Sequence, residues 1–516
     1  MDHRLSLNVP LNRVEGDLEI RAEVDGGVVT DARACGTLYR GFEAMMVGRA
    51  ALDGLVITPR ICGMCSTAHL SAAARALDMI AGAAPPPSAV RIRNVALMTE
   101  QLQSDLRQMF LMFTADLVNE RYARAPLFEE AVRRYEPFKG RTVLDTIRET
   151  RKVLEILVIV GGQWPHSSFI VPGGVVSVLS PTDLMQCRLL LRGFRDWYER
   201  RVLGCPLGRW QDVRTAAGLD EWLEESEAHR DGDLGFCLRY GRSIGLDRMG
   251  RGVERFVSFG SLDLPDGTGV QARGGGSRLV PAGFASGHDQ VRGFDERKVT
   301  EHVASSWFAD GDGDGRHPMQ GETRPYATGQ ESGKYSWAKA PRYEGLAAET
   351  GPLAEAVIAR DPLFVDLVRR DGASALVRAI ARLARAAEVI PAMEAWLAES
   401  AADPVFYRSP GEIPDGEGSG LVEASRGALG HWLRVERGAI SHYQIVSPTT
   451  WNASPRDGAG ARGPMEEALV GTTVQDAANP VELGHVVRSF DPCLVCTVHA
   501  LRRGRPAGHR TVGLGL

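Results

Sequence analysis

The sequence predicts an α+β fold that is mainly α-helical and carries small β appendages. Four long stretches place apolar side chains at helical spacing, namely residues 88–119, 144–160, 183–202 and 361–399. The last of these is expected to break near Gly372 and again at Pro391. Residues 5–35 instead alternate apolar and polar types around Asp25-Gly26-Gly27, which is typical of a β-hairpin. Between about 203 and 350, Gly, Asp and Pro become frequent and short strand-like runs appear, so we expect small sheets at the edge of a helical core.

The composition is that of a globular protein and gives no sign of a strongly charged partner. The chain has 516 residues, of which 44% are hydrophobic and 24% charged, and its formal net charge is -5. This near balance of charge gives no reason to expect nucleic acid or an anionic membrane as a partner. No apolar run approaches the roughly 20 residues that span a bilayer, and the N-terminus lacks a secretory signal pattern. We expect a cytoplasmic protein that would meet a membrane only through its partners.

Two Cys-x-x-Cys pairs, Cys62/Cys65 and Cys493/Cys496, are the strongest chemical signal in the sequence. Such a turn directs two thiolates at one centre, and soft sulfur ligands select zinc, copper(I), iron–sulfur clusters or thiolate-bound nickel. Structural zinc usually takes its pairs about 15–20 residues apart, whereas Cys65 and Cys493 are 428 positions apart. A dithiol redox pair would leave the second pair unexplained. Spacing alone therefore disfavours zinc and a redox pair without excluding them. The other four cysteines are expected to be free and buried.

The flanks of these pairs resemble the large subunit of nickel–iron hydrogenases. The first pair lies in Arg60-Ile61-Cys62-Gly63-Met64-Cys65, and the second in Asp491-Pro492-Cys493-Leu494-Val495-Cys496-Thr497-Val498-His499. Further segments look like the family's in the same order: Arg13–Gly16, Arg40–Glu43, Lys339–Tyr343, Arg426–Leu429 and Pro448–Asn452. The resemblance implies one catalytic domain over residues 1–499. It looks most like the cytosolic uptake branch, with a hydrogen-sensing regulatory subunit as the alternative.

The resemblance implies a nickel–iron centre held by all four paired cysteines. Cys65 and Cys496 would bridge the two metals, while Cys62 and Cys493 would bind nickel alone. The iron would carry carbonyl and cyanide ligands. H2 would be the substrate and would be split heterolytically, with the Cys493 sulfur as the expected proton acceptor.

Residues around this centre acquire roles by the same resemblance. Glu15 would relay protons from the terminal cysteine, with a pKa raised by burial; a surface glutamate on the hairpin is the alternative. Arg426 would lie above the open metal positions and polarise H2. Asp105 and Asp491 would orient Arg426, although an N-capping or exposed role for Asp105 stays open.

Three more residues would tune the iron and the bridging sulfurs. Thr449, with the backbone around Pro448, would hydrogen-bond a cyanide. His69 would hydrogen-bond a bridging cysteine sulfur, whereas a lone histidine on a helix is more often part of the core.

A second metal site and a processed tail are also implied. Glu43, the carbonyl of Ile445 and His499 match a site for magnesium, which prefers oxygen and imidazole ligands with water. Residues 500–516 would form a C-terminal extension that a maturation protease removes once insertion factors have delivered nickel. The four single cysteines cannot supply several iron–sulfur clusters. An iron–sulfur small subunit is therefore the expected partner, docked near Gly161–Ser168.

Overall fold

The computed structural model describes residues 4–273, 276–309, 314–329 and 332–494. Its α-helices are α1 (Phe42–Met46), α2 (Gly54–Ile57), α3 (Ser66–Ala81), α4 (Pro87–Arg107), α5 (Phe128–Tyr135), α6 (Arg141–Val153), α7 (Glu155–Gly161), α8 (Pro181–Trp197), α9 (Leu207–Gln211), α10 (Ala216–Glu225), α11 (Glu227–Asp231), α12 (Asp233–Ser243), α13 (Pro352–Ile358), α14 (Pro362–Asp371), α15 (Ala375–Glu399), α16 (Pro448–Asn452), α17 (Pro464–Leu469) and α18 (Val481–Ser489). Its strands are β1 (Arg4–Leu11), β2 (Leu18–Asp25), β3 (Val28–Gly36), β4 (Ile170–Val171), β5 (Gly174–Val175), β6 (Arg255–Asp263), β7 (Arg278–Ser286), β8 (Gln290–Arg292), β9 (Val299–His302), β10 (Ala340–Tyr343), β11 (Gly416–Ala424), β12 (Gly427–Glu436) and β13 (Ala439–Val446).

Helices α4 and α15 pack against each other at the centre of the molecule. Ser374 caps the start of helix α15, because its hydroxyl accepts the Val377 N–H. The many alanines of α15 allow close packing on neighbouring helices. Helix α4 has Pro87 at its first position, where the missing N–H costs nothing. Helices α6, α7, α8 and α13 surround this pair. A continuous helical core results.

The structure confirms the predicted fold class but corrects the predicted break at Pro391. Helix α15 runs through this proline to Glu399. Pro391 cannot donate to the carbonyl of Ala387, one turn earlier, and that carbonyl instead accepts the Gln211 side-chain amide at 3.0 Å. A partner from another helix therefore satisfies the lost bond, and the helix continues.

The described residues form three antiparallel sheets of three strands, in the orders β1-β2-β3, β6-β7-β8 and β11-β12-β13, and two of two strands, β4-β5 and β10-β9. The predicted hairpin is present at β2–β3, where Gly26 and Gly27 have φ of 58° and 82°. Strand β11 packs directly on α3. A Cβ atom at Gly420 would lie 1.7 Å from the carbonyl oxygen of Ala72, so only glycine permits this approach.

Candidate metal centre

Three of the four paired cysteines meet at one buried point. Cys62 follows a short 3-10 turn, Cys65 immediately precedes α3, and Cys493 follows α18. The Cys62 and Cys493 sulfurs are 3.6 Å apart, and all three sulfurs lie within 4.8 Å of one another. Cys496, like His499, lies outside the described residues. Three converging buried thiols form a donor set that suits a soft or borderline metal.

The segment of Cys493 is held between the N-terminal region and α16. Glu15 and Cys493 form a parallel β-bridge, and the Leu494 N–H donates to the Glu15 carbonyl at 2.5 Å. The Cys493 N–H donates to the Thr449 hydroxyl at 2.9 Å. Thr449 therefore supports a cysteine backbone, and its predicted bond to a cyanide stays a prediction. Pro448 begins the short helix that places Thr449.

Arg426 lies against the cysteines at the turn between β11 and β12. Its Nε is 3.0 Å from the Asp491 carboxylate and 3.1 Å from the Asp491 carbonyl. Burial alone would lower the pKa of Arg426, but Asp491 and the three cysteines hold it well above its usual value. Its Nη1 is buried and lacks a hydrogen-bond partner among the described residues. The arginine can therefore present one N–H to a small molecule at the metal centre.

Asp105 does not occupy the position predicted for it. Its carboxylate forms two hydrogen bonds with Arg385 of α15, at 2.7 and 2.8 Å, and lies 3.9 Å from Arg382. The ion pair of Arg426 that the described residues show is with Asp491. The prediction that Asp105 orients Arg426 is thus wrong, because this face of α4 packs on α15. The N-cap and exposed alternatives also fail, since Asp105 is buried within the last turn of α4.

Glu15 is partly buried beside the cysteines. Burial raises the pKa of its carboxyl, the negative charge of Cys62 raises it further, and Arg426 opposes both. A carboxyl with a raised pKa can accept and release protons closer to neutral pH. The surroundings therefore suit a relay, and that role stays a prediction.

His69 lies on the first turns of α3 and lines a small cavity with Cys65, Arg426, Thr449 and other residues. Its Nδ1 is 3.0 Å from Nε2 of His431, whose Nδ1 is 2.8 Å from the Tyr443 hydroxyl. Burial lowers the pKa of His69 to about 4. Only its Nε2 can serve the predicted bond to a sulfur.

Glu100 is a buried site residue that the motifs do not indicate. Its two carboxylate oxygens accept the backbone N–H groups of Thr67 and Ala68, at 2.7 and 3.0 Å, in the first turn of α3. These bonds satisfy donors that every helix start leaves open. Burial raises the pKa of Glu100 to about 8. A lone glutamate in an apolar helical pattern gives no sign of burial, so the sequence offered no signal for it.

The predicted magnesium ligands Glu43 and Ile445 lie side by side. The Ile445 N–H donates to one Glu43 oxygen at 2.9 Å. The other oxygen contacts the Thr323 hydroxyl and lies 3.7 Å from the Lys339 ammonium, which is 3.5 Å from Glu301. Two carboxylates next to a carbonyl-bearing strand suit a hard cation. With His499 outside the described residues, the site stays a prediction.

The buried thiol cluster marks this chain as a metal-binding protein, and comparisons with known proteins specify its family. The sequence profile described as "Nickel-dependent hydrogenase" matches residues 40–125 and 240–499. The chain is 31% identical to the periplasmic [NiFeSe] hydrogenase large subunit of Desulfomicrobium baculatum, over 97% of this chain and 96% of that one. It is 27% identical to the uptake hydrogenase large subunit of Rhodobacter capsulatus, over 95% and 94%. The chain therefore belongs to the nickel-dependent hydrogenase family.

Solved structures agree with this assignment. The Ni-Fe-Se hydrogenase of D. vulgaris Hildenborough superposes with a TM-score of 0.81 at 29% identity, covering 96% of this chain and 100% of that one. Relatives include periplasmic, quinone-reactive and uptake enzymes, so they establish the family without selecting the cytosolic uptake branch. In the described part of the chain, no helix is both long and apolar enough to cross a membrane.

Proposed function

We propose that this chain is the catalytic large subunit of a nickel–iron uptake hydrogenase that splits H2 into protons and electrons. The observation that carries the proposal is the buried cluster of Cys62, Cys65 and Cys493 beside Arg426, whose Nη1 has no hydrogen-bond partner within the described part of the chain. Cys496 would complete the four thiolates. Bound there, nickel and an iron with carbonyl and cyanide ligands would supply the heterolytic cleavage of H2.

The protein side chains would handle charge and protons around that centre. The Arg426 guanidinium, fixed by Asp491, presents a buried positive charge where negative charge develops on splitting H2. The Cys493 sulfur would accept the proton, and Glu15, bridged to Cys493 through the backbone, would carry it away. Water is largely excluded, because the three cysteines are buried.

The electrons would leave through an iron–sulfur small subunit that docks beside the first cysteine pair. His166, in the predicted interface segment, lies against this pair, since a Cβ at Gly63 would be 3.8 Å from its ring. The loop is fixed by bonds from His166 to the Pro59 carbonyl and from Ser168 to the Leu55 carbonyl. Leu52 and Val56, about half exposed, extend an apolar surface there. This arrangement suits a short electron path into a partner.

Maturation and location complete the proposal. Magnesium would bind at Glu43, the Ile445 carbonyl and His499. The match to the family profile ends at residue 499, which supports a catalytic domain of residues 1–499. A maturation protease would cut after His499 once nickel-insertion factors have acted. The enzyme would be cytoplasmic, reaching a membrane only through partners. The intact mass of active enzyme tests the cut, and an active full-length chain would contradict it.

The central test is metal analysis and infrared spectroscopy of the chain purified with its small subunit. We expect one nickel per large subunit, iron in excess of nickel because the clusters of the small subunit also contain iron, and infrared bands from carbonyl and cyanide. Cys62→Ser should abolish the nickel and the infrared bands, whereas Cys35→Ser, at a comparably buried cysteine on β3, should preserve them. Zinc alone would refute the proposal. Turnover with an artificial acceptor separates an uptake enzyme from a slow hydrogen sensor.

A further inference from the structure

Three buried side chains form a continuous hydrogen-bond chain that ends at the metal centre. His69 on α3 contacts His431 on β12 at 3.0 Å, and His431 contacts Tyr443 on β13 at 2.8 Å. All three are at most 2% exposed. The histidine nitrogens and the tyrosine hydroxyl of this hydrogen-bond chain are therefore shielded from water, and each of their protons must have a defined acceptor.

The direction of the chain follows from the tyrosine. Among the described residues, the Tyr443 hydroxyl has His431 Nδ1 as its one hydrogen-bond partner. A buried hydroxyl proton needs an acceptor, so Tyr443 donates to that nitrogen. His431 then carries its proton on Nε2 and donates it to Nδ1 of His69. Because Nδ1 of His69 accepts, its own proton must be on Nε2.

We propose that Tyr443 and His431 are positioning residues that hold His69 in the tautomer protonated at Nε2, so that His69 offers an N–H to the metal centre. The opposite tautomer would face the thiolate sulfurs with a lone pair and would repel them. His69 lines a cavity together with Cys65 and Thr449, and because its Nδ1 is bonded to His431, Nε2 is the ring nitrogen available to the metal centre. The inference rests on the proposed function, because an N–H donor withdraws charge from a metal-bound sulfur.

Tyr443→Phe tests the chain with almost no change in volume. Without the hydroxyl, neither tautomer of His431 is favoured, and His69 loses its enforced donor. We expect the carbonyl and cyanide infrared bands of the purified enzyme to shift, with H2 oxidation about 10- to 100-fold lower. Tyr122→Phe is the matched control, because it removes another buried Tyr–His bond, from Tyr122 to His485 at 2.9 Å. Unchanged bands in Tyr443→Phe would overturn the inference.

A direct measurement of the tautomer does not depend on activity. Solid-state NMR of the ¹⁵N-histidine-labelled full chain distinguishes a protonated ring nitrogen from a bare one, and His69→Gln assigns the signal. We expect protonated Nε2 and bare Nδ1 at His69, and a mixture in Tyr443→Phe. Protonated Nδ1 in the wild type would overturn the inference even if H2 oxidation is intact. Missing carbonyl and cyanide bands would instead refute the proposed function, while the tautomer stays measurable.

Discussion

Replacing Asp105 with asparagine should destabilise the fold more than it disturbs the metal centre. Asp105 and Arg385 are each 4% exposed at their side chains and share two hydrogen bonds. Burial raises the pKa of Asp105 to about 6 although Arg385 lowers it, and Asp105 in turn holds the pKa of the buried Arg385 above its usual value, so the arginine depends on this carboxylate for its charge. Removing one partner then leaves Arg385 as a buried charge with less compensation. Breaking such a pair costs about 3–5 kcal/mol.

The lower end of that range, about 3 kcal/mol, is expected here. Arg385 keeps a bond to Glu355 at 2.8 Å and one to the Ser425 carbonyl at 2.6 Å. Replacing both members, in Asp105→Asn with Arg385→Met, should cost less than the sum of the two single changes, because neither charge is then left alone.

Urea denaturation of the purified chain measures this cost as a change in the free energy of unfolding. Asp263→Asn is the matched control, because Asp263 also contacts two arginines but its side chain is 37% exposed, so less than about 1 kcal/mol should be lost. The infrared bands should stay unchanged in Asp105→Asn. The reasoning is refuted if that variant keeps wild-type stability and loses turnover as Asp491→Asn does, since Asp105 would then act on Arg426.

Three further changes separate proton transfer, charge stabilisation and stability. Glu15→Gln should keep nickel and the infrared bands but lower H2 oxidation about 10²- to 10⁴-fold; equal turnover would exclude Glu15 as the relay. Arg426→Lys should lower turnover about 10²- to 10³-fold at unchanged metal content, and wild-type turnover would contradict its role. Burial raises the pKa of Glu466 to about 7 from its usual 4.5, so the native state holds a proton there that the unfolded chain releases, and wild-type stability should fall as pH rises through this window. Denaturation at several pH values measures the free energy of unfolding of both proteins. The value for Glu466→Gln should rise relative to that of the wild type by about 3 kcal/mol between pH 4 and 8. An equal pH dependence of the two free energies would contradict this.

The fold class could be predicted because the core helices carry uniform apolar spacing over long stretches. The break at Pro391 could not, because the Gln211 amide that accommodates it lies 180 positions earlier in the sequence. Local propensity describes what a segment prefers alone, and here a tertiary contact overrides it. The same limit applies wherever a distant residue completes a backbone bond.

The candidate site was predictable where its chemistry is carried by motifs and not where it depends on a helix face. Cys62, Cys65 and Cys493 converge as their flanks indicate. Asp105 was assigned by its position in a motif, yet one step along a helix turns a side chain by about 100°. Glu100 belongs to no motif at all. Its role depends on the start of α3 lying next to α4, which only the three-dimensional structure shows.

The packing of α3 on β11 explains why Arg426 and Cys65 meet. A Cβ at Gly418 would clash with the Ala76 carbonyl, and one at Gly420 would clash with the Ala72 carbonyl. A step of two residues along β11 therefore matches a step of four residues back along α3. Two strand residues span about 6.6 Å and four helical residues about 6 Å, so the two elements stay in step. Two to four residues beyond Gly420, β11 lies beside the first residues of α3. The turn that follows β11 then places Arg426 next to Cys65, which precedes α3. Small residues far from the metal centre thus set the position of its arginine.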